Sequence, residues 1–529
     1  MGPGCSRSLV FVVVNFHAVL LALLFLPAGA GAQSAPAAQA PQNAPGDQVM
    51  RITRDEAIRL ALENNPDLAV SRLDPAISQT QVAAAQGAFM PTLETAVQRN
   101  SQEQPPTNLF AGAGGIETNL WSSAVALNQL VPWGGGSYSV GWDSSRTTTN
   151  SLITSFDPSL SSRLSLSFSQ PLLRNFRIDP ARAQLEVSER NMEIADTSLR
   201  ESRVTTAANA EQGYWAYVAA LALVDVQQRS LDLALELERN NRARVEVGQS
   251  PPLDLVAARA EVAQRRENLI IARTNARQAE DTLRTLILDP NRPDYWNIRL
   301  EPADRVPAAG APPDVDAAVT RALAERTDLA RARIEIENSE TTISLSRSET
   351  LPDLRLQANY LTDAAGGTRL LREGGFPGTV VGQEITGFGS VLGQLLSADY
   401  PTWTLGLTFS YPLGKSTAQA NLARARIARD QAAARLKSLE VNSVREVRQA
   451  AWRLEQNQQR IETTQLAREL AEQRLDAEQK RFEVGMSTSF LVIQAQRDLA
   501  VARNNELQAL LDYQLAAVVF EAVQQAGQR

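Results

Sequence analysis

The sequence has a single cysteine, Cys5, and a single histidine, His17, and both lie within the first 32 residues. In that segment Arg7 precedes an apolar stretch from Leu9 to Leu26 and then small residues. This is the pattern of a secretory signal peptide, with an uncleaved anchor helix as the alternative. We therefore predict that residues 1–32 are removed from the mature protein.

Without that segment the chain has no cysteine and no histidine, and this absence excludes several kinds of site. A disulfide, a Cys or His zinc site, a cysteine nucleophile and a histidine general base all require these residues. The sequence also has no phosphate-binding loop pattern and no Gly-x-Ser-x-Gly motif. We predict no catalytic residue, no cofactor and no metal site, so an enzyme would have to rest on carboxylates or serine alone.

Aromatic residues are few, at 14 Phe, 8 Tyr and 7 Trp in 529 residues, so a large aromatic-rich core is not expected. The net charge of −7 argues against nucleic acid as a partner. Residues 33–50 are rich in Ala, Pro and Gln, a composition that cannot bury a core, and we predict a flexible leader there.

The rest of the sequence repeats once. Residues 55–68 align without gaps on residues 316–329, Leu166–Leu172 align on Leu407–Leu413, and Arg244–Gly248 align on Arg481–Gly485. The three offsets are 261, 241 and 237, so the first half carries 20 extra residues between its strand landmarks. These boundaries predict a first repeat over 51–288 (helix, β-hairpin, long helix hairpin), a linker over 289–313 and a second repeat over 314–525.

Each repeat contains a stretch too long for a compact domain. Residues 415–484 have neither Gly nor Pro, and the matching stretch 181–247 is interrupted only by Gly213. At 1.5 Å per residue each would form a helix roughly 100 Å long. The first of these helices carries two apolar seams with 3-4 spacing on nearly opposite sides, which predicts neighbours on both flanks. The first seam is Leu221, Val224, Gln228, Leu231 and Leu235, and the second is Leu223, Val226, Ser230, Leu233 and Leu237.

Alternating apolar and polar residues mark strands in both halves. Alternation of this length is typical of a strand that crosses a membrane within a β-barrel, although soluble sheets alternate too. We predict that the apolar side chains face lipid: Leu164, Leu166 and Phe168 in the first half, and Trp403, Leu405, Leu407 and Phe409 in the second. The 20 extra residues are expected to form an added hairpin over residues 121–143, whose place relative to the other strands stays open.

The order of these elements, given twice from Asp55 to Val523, resembles the TolC-like outer-membrane efflux protein family, and the repeated Val-Gly-x-Ser tips are its most specific part. The resemblance implies a mixed α/β membrane protein with an internal two-fold repeat. It implies a homotrimer in the outer membrane of a Gram-negative bacterium, with four strands per protomer in a shared transmembrane β-barrel and a long coiled-coil α-helical barrel in the periplasm. Such a channel passively conducts exported substrates in a tripartite efflux or type I secretion system, and receives them from an inner-membrane pump through a periplasmic adaptor.

The tips also carry the residues for which the resemblance implies roles. Those matching the adaptor-contact region are Arg244, Val247, Gly248, Ser250, Arg481, Val484, Gly485 and Ser487. Asp254 matches an acid that helps to hold the entrance closed in relatives. The sequence departs from that pattern at Leu491 and Gln494, where relatives place acidic residues, and at Ser487, where they place an arginine. The expected entrance gate at Asp254, Leu491 and Gln494 therefore differs from that of those relatives.

A periplasm-spanning coiled-coil tether without channel activity is the alternative function. It explains the long helices and makes the strands incidental.

Overall fold

The computed structural model describes residues 49–105, 115–307, 310, 312–375, 378–414 and 416–527. The predicted signal peptide and residues 33–48 of the predicted leader lie outside the described residues. The helices of this part are α1 (Arg54–Asn64), α2 (Pro66–Ser71), α3 (Asp74–Gly87), α4 (Pro180–Glu246), α5 (Pro252–Ile287), α6 (Val315–Glu325), α7 (Thr327–Glu349), α8 (Phe388–Ser397), α9 (Thr417–Glu483) and α10 (Ser489–Ala522). The strands are β1 (Val49–Ile52), β2 (Thr92–Gln104), β3 (Ile116–Leu130), β4 (Ser137–Thr149), β5 (Phe156–Pro171), β6 (Arg299–Pro302), β7 (Asp353–Glu373), β8 (Thr379–Thr386) and β9 (Pro401–Ser410).

The helices follow the repeat of the sequence. The bounds of α1 and α6 differ by 261 at both ends, and α4 and α9 each have 67 residues with an offset of 237 at both ends. Helix α4 passes through Gly213 without a break. A Cβ at Gly213 would lie 3.1 Å from Leu286 Cδ1, so the glycine allows α4 and α5 to approach closely.

Neighbours pack on both flanks of α4, as its two seams predict. Leu231 of the first seam lies in an apolar cluster with Val262 and Leu269 of α5. Leu237 of the second seam packs instead with residues of α9 and α10, among them Leu475. Helix α4 therefore buries the apolar residues of its two seams against different helices.

A second core lies where the short strands β1 and β6 pair in parallel. Tyr214 and Tyr217 of α4 are buried there, and the Tyr217 hydroxyl donates to the Leu300 carbonyl at 2.8 Å. Burial raises the pKa of Tyr217 to about 12. Strand β6 and the buried Ile298 belong to the 289–313 segment, so part of this linker packs into the core.

The larger sheet has more strands than the four expected per protomer. The path β2-β3-β4-β5-β7-β9 contains six antiparallel strands, and β8 pairs with the outer half of β7 beyond β9. The first repeat holds four of these strands, and two of them form the added hairpin expected over residues 121–143. The extra strands are β3 and β4, whose alternating side chains continue both faces of the sheet between β2 and β5.

Helix α8 joins β8 to β9 and packs against the sheet. Its buried Val391 and Leu395 contact a cluster that contains Ala364 of β7 and Leu164 of β5. A Cβ at Gly366 would lie 2.6 Å from Val391 Cγ2, so this glycine is needed for the close approach. None of the helices in the described ranges has the length and apolar character required to cross a bilayer.

Candidate functional site at the helix tips and on the sheet

The two helix tips have the same backbone geometry. Gly248 and Gly485 have φ of +75° and +77°, and the amides three residues beyond the helix ends bond back across the turn. Gln249 N donates to Arg244 O, and Met486 N donates to Arg481 O, both at 2.8 Å. This is the hydrogen-bond pattern by which glycine ends a helix in the left-handed conformation. The sequence repeat therefore becomes a structural repeat at the tips.

The two tips of one chain contact each other through Arg244. Its guanidinium lies over the Phe482 ring, 4.3 Å from the centroid, and donates to Glu483 O at 3.1 Å. A guanidinium over an aromatic face is a favourable cation–π contact. Arg244 thus links the end of α4 to the end of α9.

At the second tip, Ser487 and Arg481 share one carboxylate. Ser487 Oγ donates to Glu478 at 2.7 Å, and Arg481 Nη1 lies 3.0 Å from the other oxygen of the same side chain. The hydroxyl donor, followed by the arginine charge, lowers the pKa of Glu478. Ser487 therefore stabilises a carboxylate within its own tip.

Both tips expose apolar side chains. Val247, Val484 and Met486 are 69%, 71% and 80% exposed. Ser250 lies between Gly248 and α5 and is half-buried. Exposed apolar side chains grouped in this way are typical of a surface that binds another protein.

The three predicted gate residues lie in the first turn of α5 and the first two turns of α10. Asp254 has its carbonyl bonded to Asn241 Nδ2 at 3.3 Å, and Gln494 Nε2 donates to Asp498 at 2.8 Å. Leu491 is 43% exposed. Among the described residues, the hydrogen bonds of Gln494 therefore lead to Asp498 and not to Asp254.

Sequence reasoning missed the charged cluster next to these residues. Glu261 of α5 is almost fully buried and accepts from Arg265 Nε at 2.7 Å. Arg497 of α10 donates to the other oxygen with Nε at 2.9 Å and Nη2 at 2.7 Å. We call these three residues the Glu261 cluster. Only the spacing of Glu261 and Arg265 was visible in the sequence, because Arg497 is 236 residues away.

The large sheet has one apolar and one polar face. The register pairs Leu405 with Ala358, and Ala358 in turn with Phe168, so the predicted side chains of β5 and β9 lie on the same face. On β9 the apolar side chains are 63–76% exposed: Trp403, Leu405, Leu407 and Phe409. Leu166 and Phe168 are also exposed. Leu164 differs from the prediction, because it lies partly buried under α8.

The opposite face carries serine, threonine and charged side chains. Arg163 Nε lies 2.7 Å from Asp363 Oδ1 across the β5–β7 pair. Thr404 and Thr408 of β9 belong to this face, because they alternate with the apolar residues. A sheet with these two faces can separate an apolar phase from water.

Comparisons with known proteins agree with this geometry. The family model described as "Outer membrane efflux protein" matches residues 57–287 and 318–522, which are the two repeats. A search of curated proteins gave no match.

Similar solved structures include three outer-membrane proteins. The Campylobacter jejuni CmeC outer membrane channel has 14% identity and a TM-score of 0.63, over 89% of this chain and 85% of that one. The Vibrio cholerae outer membrane protein VceC has 15% identity and a TM-score of 0.62, over 90% and 96%. The Neisseria gonorrhoeae MtrE outer membrane channel, in its open state, has 17% identity and a TM-score of 0.61, over 90% and 91%. The chain therefore belongs to the outer membrane efflux protein family, a family of transport channels and not of enzymes, and it is located in the outer membrane and extends into the periplasm.

Proposed function

We propose that the protein is the outer-membrane channel of a tripartite efflux or type I secretion system. Three copies form a transmembrane β-barrel that continues into a periplasmic tunnel of coiled α-helices. Exported substrates pass through this conduit passively, driven by an inner-membrane pump that connects through a periplasmic adaptor.

The observation that carries the proposal is the row of exposed apolar side chains on β9, opposite a polar face. Trp403, Leu405 and Phe409 are each at least 64% exposed. Such a row is unfavourable in water and suits lipid, while the polar face suits an aqueous lumen. Strand β9 has 10 residues, enough to cross the apolar layer of a membrane when tilted.

The tips have a surface that suits the binding of a protein partner. Their outer surface has Val247, Val484 and Met486 on two turns of equal geometry, each ending a helix of 67 residues. We propose that this surface contacts the adaptor, with the shared backbone geometry of Gly248 and Gly485 setting its shape. Arg244 and Arg481 act by holding the tips in place, Ser487 acts through its hydrogen bond to Glu478 of α9, and Ser250 lies in the turn between α4 and α5.

A lysine test on β9 separates a channel from a tether. Leu405→Lys with Phe409→Lys places charge on the apolar face, and Thr404→Lys with Thr408→Lys places the same charge on the polar face of the same strand. We expect the first pair to abolish trimers in outer-membrane fractions and the second pair to keep them, together with conductance in planar bilayers. A tether would assemble normally with either pair and give no conductance.

Partner capture tests the role of the tips. A photo-crosslinking residue at Val247 or at Met486 leaves both tip glycines intact, and we expect it to capture one adaptor species in intact cells. The same group at the exposed Trp296, in the segment that joins the end of α5 to β6, is the control. Equal capture from all three positions would contradict adaptor docking at the tips.

A further inference from the structure

We propose that each protomer inserts six strands into the barrel wall, so that three copies close an 18-stranded barrel instead of the twelve-stranded one that the family resemblance predicts. The inference rests on the proposed trimeric channel. It concerns the width of the exit and the surface through which one copy joins the next.

The first observation is the continuity of the sheet. Strand β3 pairs with β2 from Asn128–Thr92 to Ile116–Gln104, and β4 pairs with β5 from Ser137–Ser169 to Thr147–Ser159. The added hairpin therefore lies between the strands that would otherwise be neighbours. No described segment pairs β2 directly with β5.

The second observation is that the added hairpin has the two faces of a wall. Val125 lies opposite Trp142, and Val140 lies opposite Leu166, so both belong to the apolar face of the sheet. The alternate residues Ser122 and Ser139 lie on the polar face. A hairpin that folded into the lumen or over the outside of the barrel would not require its apolar and polar residues to align with those of β2 and β5.

The third observation is that the turn of the added hairpin is anchored at the helix-proximal end of the sheet. Gln170 Nε2 donates to Gly134 O at 2.7 Å, and Gln129 Nε2 donates to Phe89 O at 3.0 Å. Phe89 follows α3, and Gln170 lies at the end of β5, shortly before α4. The turn is thus fixed to both junctions that connect the sheet to the helices.

The remaining edges fit a second copy of the chain. Strands β2 and β9 are the two ends of the six-stranded path, and an even number of antiparallel strands makes them run in opposite directions. Leu93 and Val97 of β2 are as exposed as the apolar side chains of β9. Open edges of this kind pair with another strand, and a ring of copies joined from β2 to β9 closes without a parallel pair.

The consequence is a wider exit. Barrel diameter grows roughly linearly with the number of strands, so 18 strands give a diameter about 1.5 times that of 12. The described long helices follow the two-fold repeat, and the first repeat has no additional pair of long helices to match its additional pair of strands. The extra width therefore belongs to the barrel and not to the tunnel.

Imaging of the full-length trimer by electron cryomicroscopy tests the inference directly. We expect 18 strands, with β3 and β4 in the wall. A twelve-stranded wall with residues 116–149 outside it would overturn the inference and leave the channel function standing. Absence of any trimeric barrel would instead refute the proposed function.

A deletion gives a matched comparison. Removal of residues 116–150 leaves β2 and β5 antiparallel and joined by a loop, so we expect them to pair in a barrel about two thirds as wide. An unchanged width would contradict the inference.

Lysine substitutions keep the test decisive even if the deletion variant does not assemble. We expect Val125→Lys and Val140→Lys each to reduce outer-membrane trimer about tenfold or more, because a lysine would face lipid. Ser122→Lys and Ser139→Lys should keep wild-type levels. Normal assembly of the Val125 and Val140 variants would show that the hairpin lies outside the wall.

Discussion

The charged side chain of Arg326 is almost fully buried between helices of the second repeat. It lies between α6 and α7 with only 2% of its side chain exposed. Its guanidinium pairs with Asp328 at 2.8 Å and Glu446 at 2.9 Å, and it also donates to Val523 O. These contacts join α7 to α9 and to the end of α10. Arg326 therefore holds three helices at one point.

We expect Arg326→Met to lower the free energy of unfolding by about 3 to 5 kcal/mol, because both acidic partners would lose their compensating charge in a confined site. Arg333→Met on the exposed surface of α7 is the control and should change stability by less than about 0.5 kcal/mol. Chemical denaturation of the purified protein in detergent measures both. Equal stability of the two variants would refute the role of Arg326.

Asp328 makes the same site sensitive to acid. Burial by itself would raise the pKa of Asp328, but the hydrogen bond and charge of Arg326 outweigh it and leave the pKa below its ordinary value of 3.8. A carboxyl with a lowered folded pKa stabilises the fold above its unfolded pKa, and the contribution is lost as the pH falls through the folded value.

We therefore expect the thermal midpoint to fall more steeply below about pH 4 in the wild type than in Asp328→Asn, which cannot titrate. The midpoint of Asp328→Asn should already be lower at pH 7. Asp67→Asn, at the equivalent exposed position of the first repeat, removes the same charge and is the control. Parallel curves for wild type and Asp328→Asn would contradict the assignment.

The two helix tips depend on the backbone conformation of their glycines. A Cβ at Gly248 or Gly485 would meet nothing within 4 Å, so space does not require these glycines. The positive φ does, because a side chain in the left-handed region crowds the following carbonyl.

We expect Gly248→Val and Gly485→Val each to cost about 1 to 2 kcal/mol at the tip, and Gly248→Asn to cost less, since asparagine tolerates this conformation. Gly87→Val, also in open space but with ordinary φ, should be harmless to the tip. Hydrogen exchange of residues 244–252 measures local opening. The prediction is wrong if valine leaves exchange at the tip unchanged.

Local patterns made several elements predictable from the sequence. Glycine and serine define the tips, alternation defines β5 and β9, and the two seams of α4 indicate its two flanks. Helix α8 was missed because Gly389 and Gly393 suggest a loop, whereas packing of Val391 and Leu395 on the sheet stabilises the helix.

Long-range register could not be read from the sequence. The alternation of β3 and β4 indicates two strands but does not say which strands they join, because alternation fixes the face of each side chain and not the partner strand. The same holds for Arg497, which meets Glu261 only when the two repeats fold together.

The Glu261 cluster connects the two repeats near the predicted entrance. Glu261 lies seven residues after Asp254 on α5, and Arg497 lies three residues after Gln494 on α10. Arg497 donates two charge-assisted hydrogen bonds to one oxygen of Glu261, and Glu261 is shielded from water. Any widening that moves α10 away from α5 must break it.

We expect Arg497→Met to raise the leak conductance of trimers in planar bilayers, because each 1.4 kcal/mol removed from the closed state increases the open-to-closed ratio about tenfold. Arg497→Lys keeps the charge but loses the fork of two donors, so it should give an intermediate leak. Arg474→Met breaks the exposed Arg474–Asp498 pair between α9 and α10 and should leave the leak near wild type. Intact trimers of Arg497→Met with wild-type leak would show that the cluster holds the repeats together without restraining the entrance.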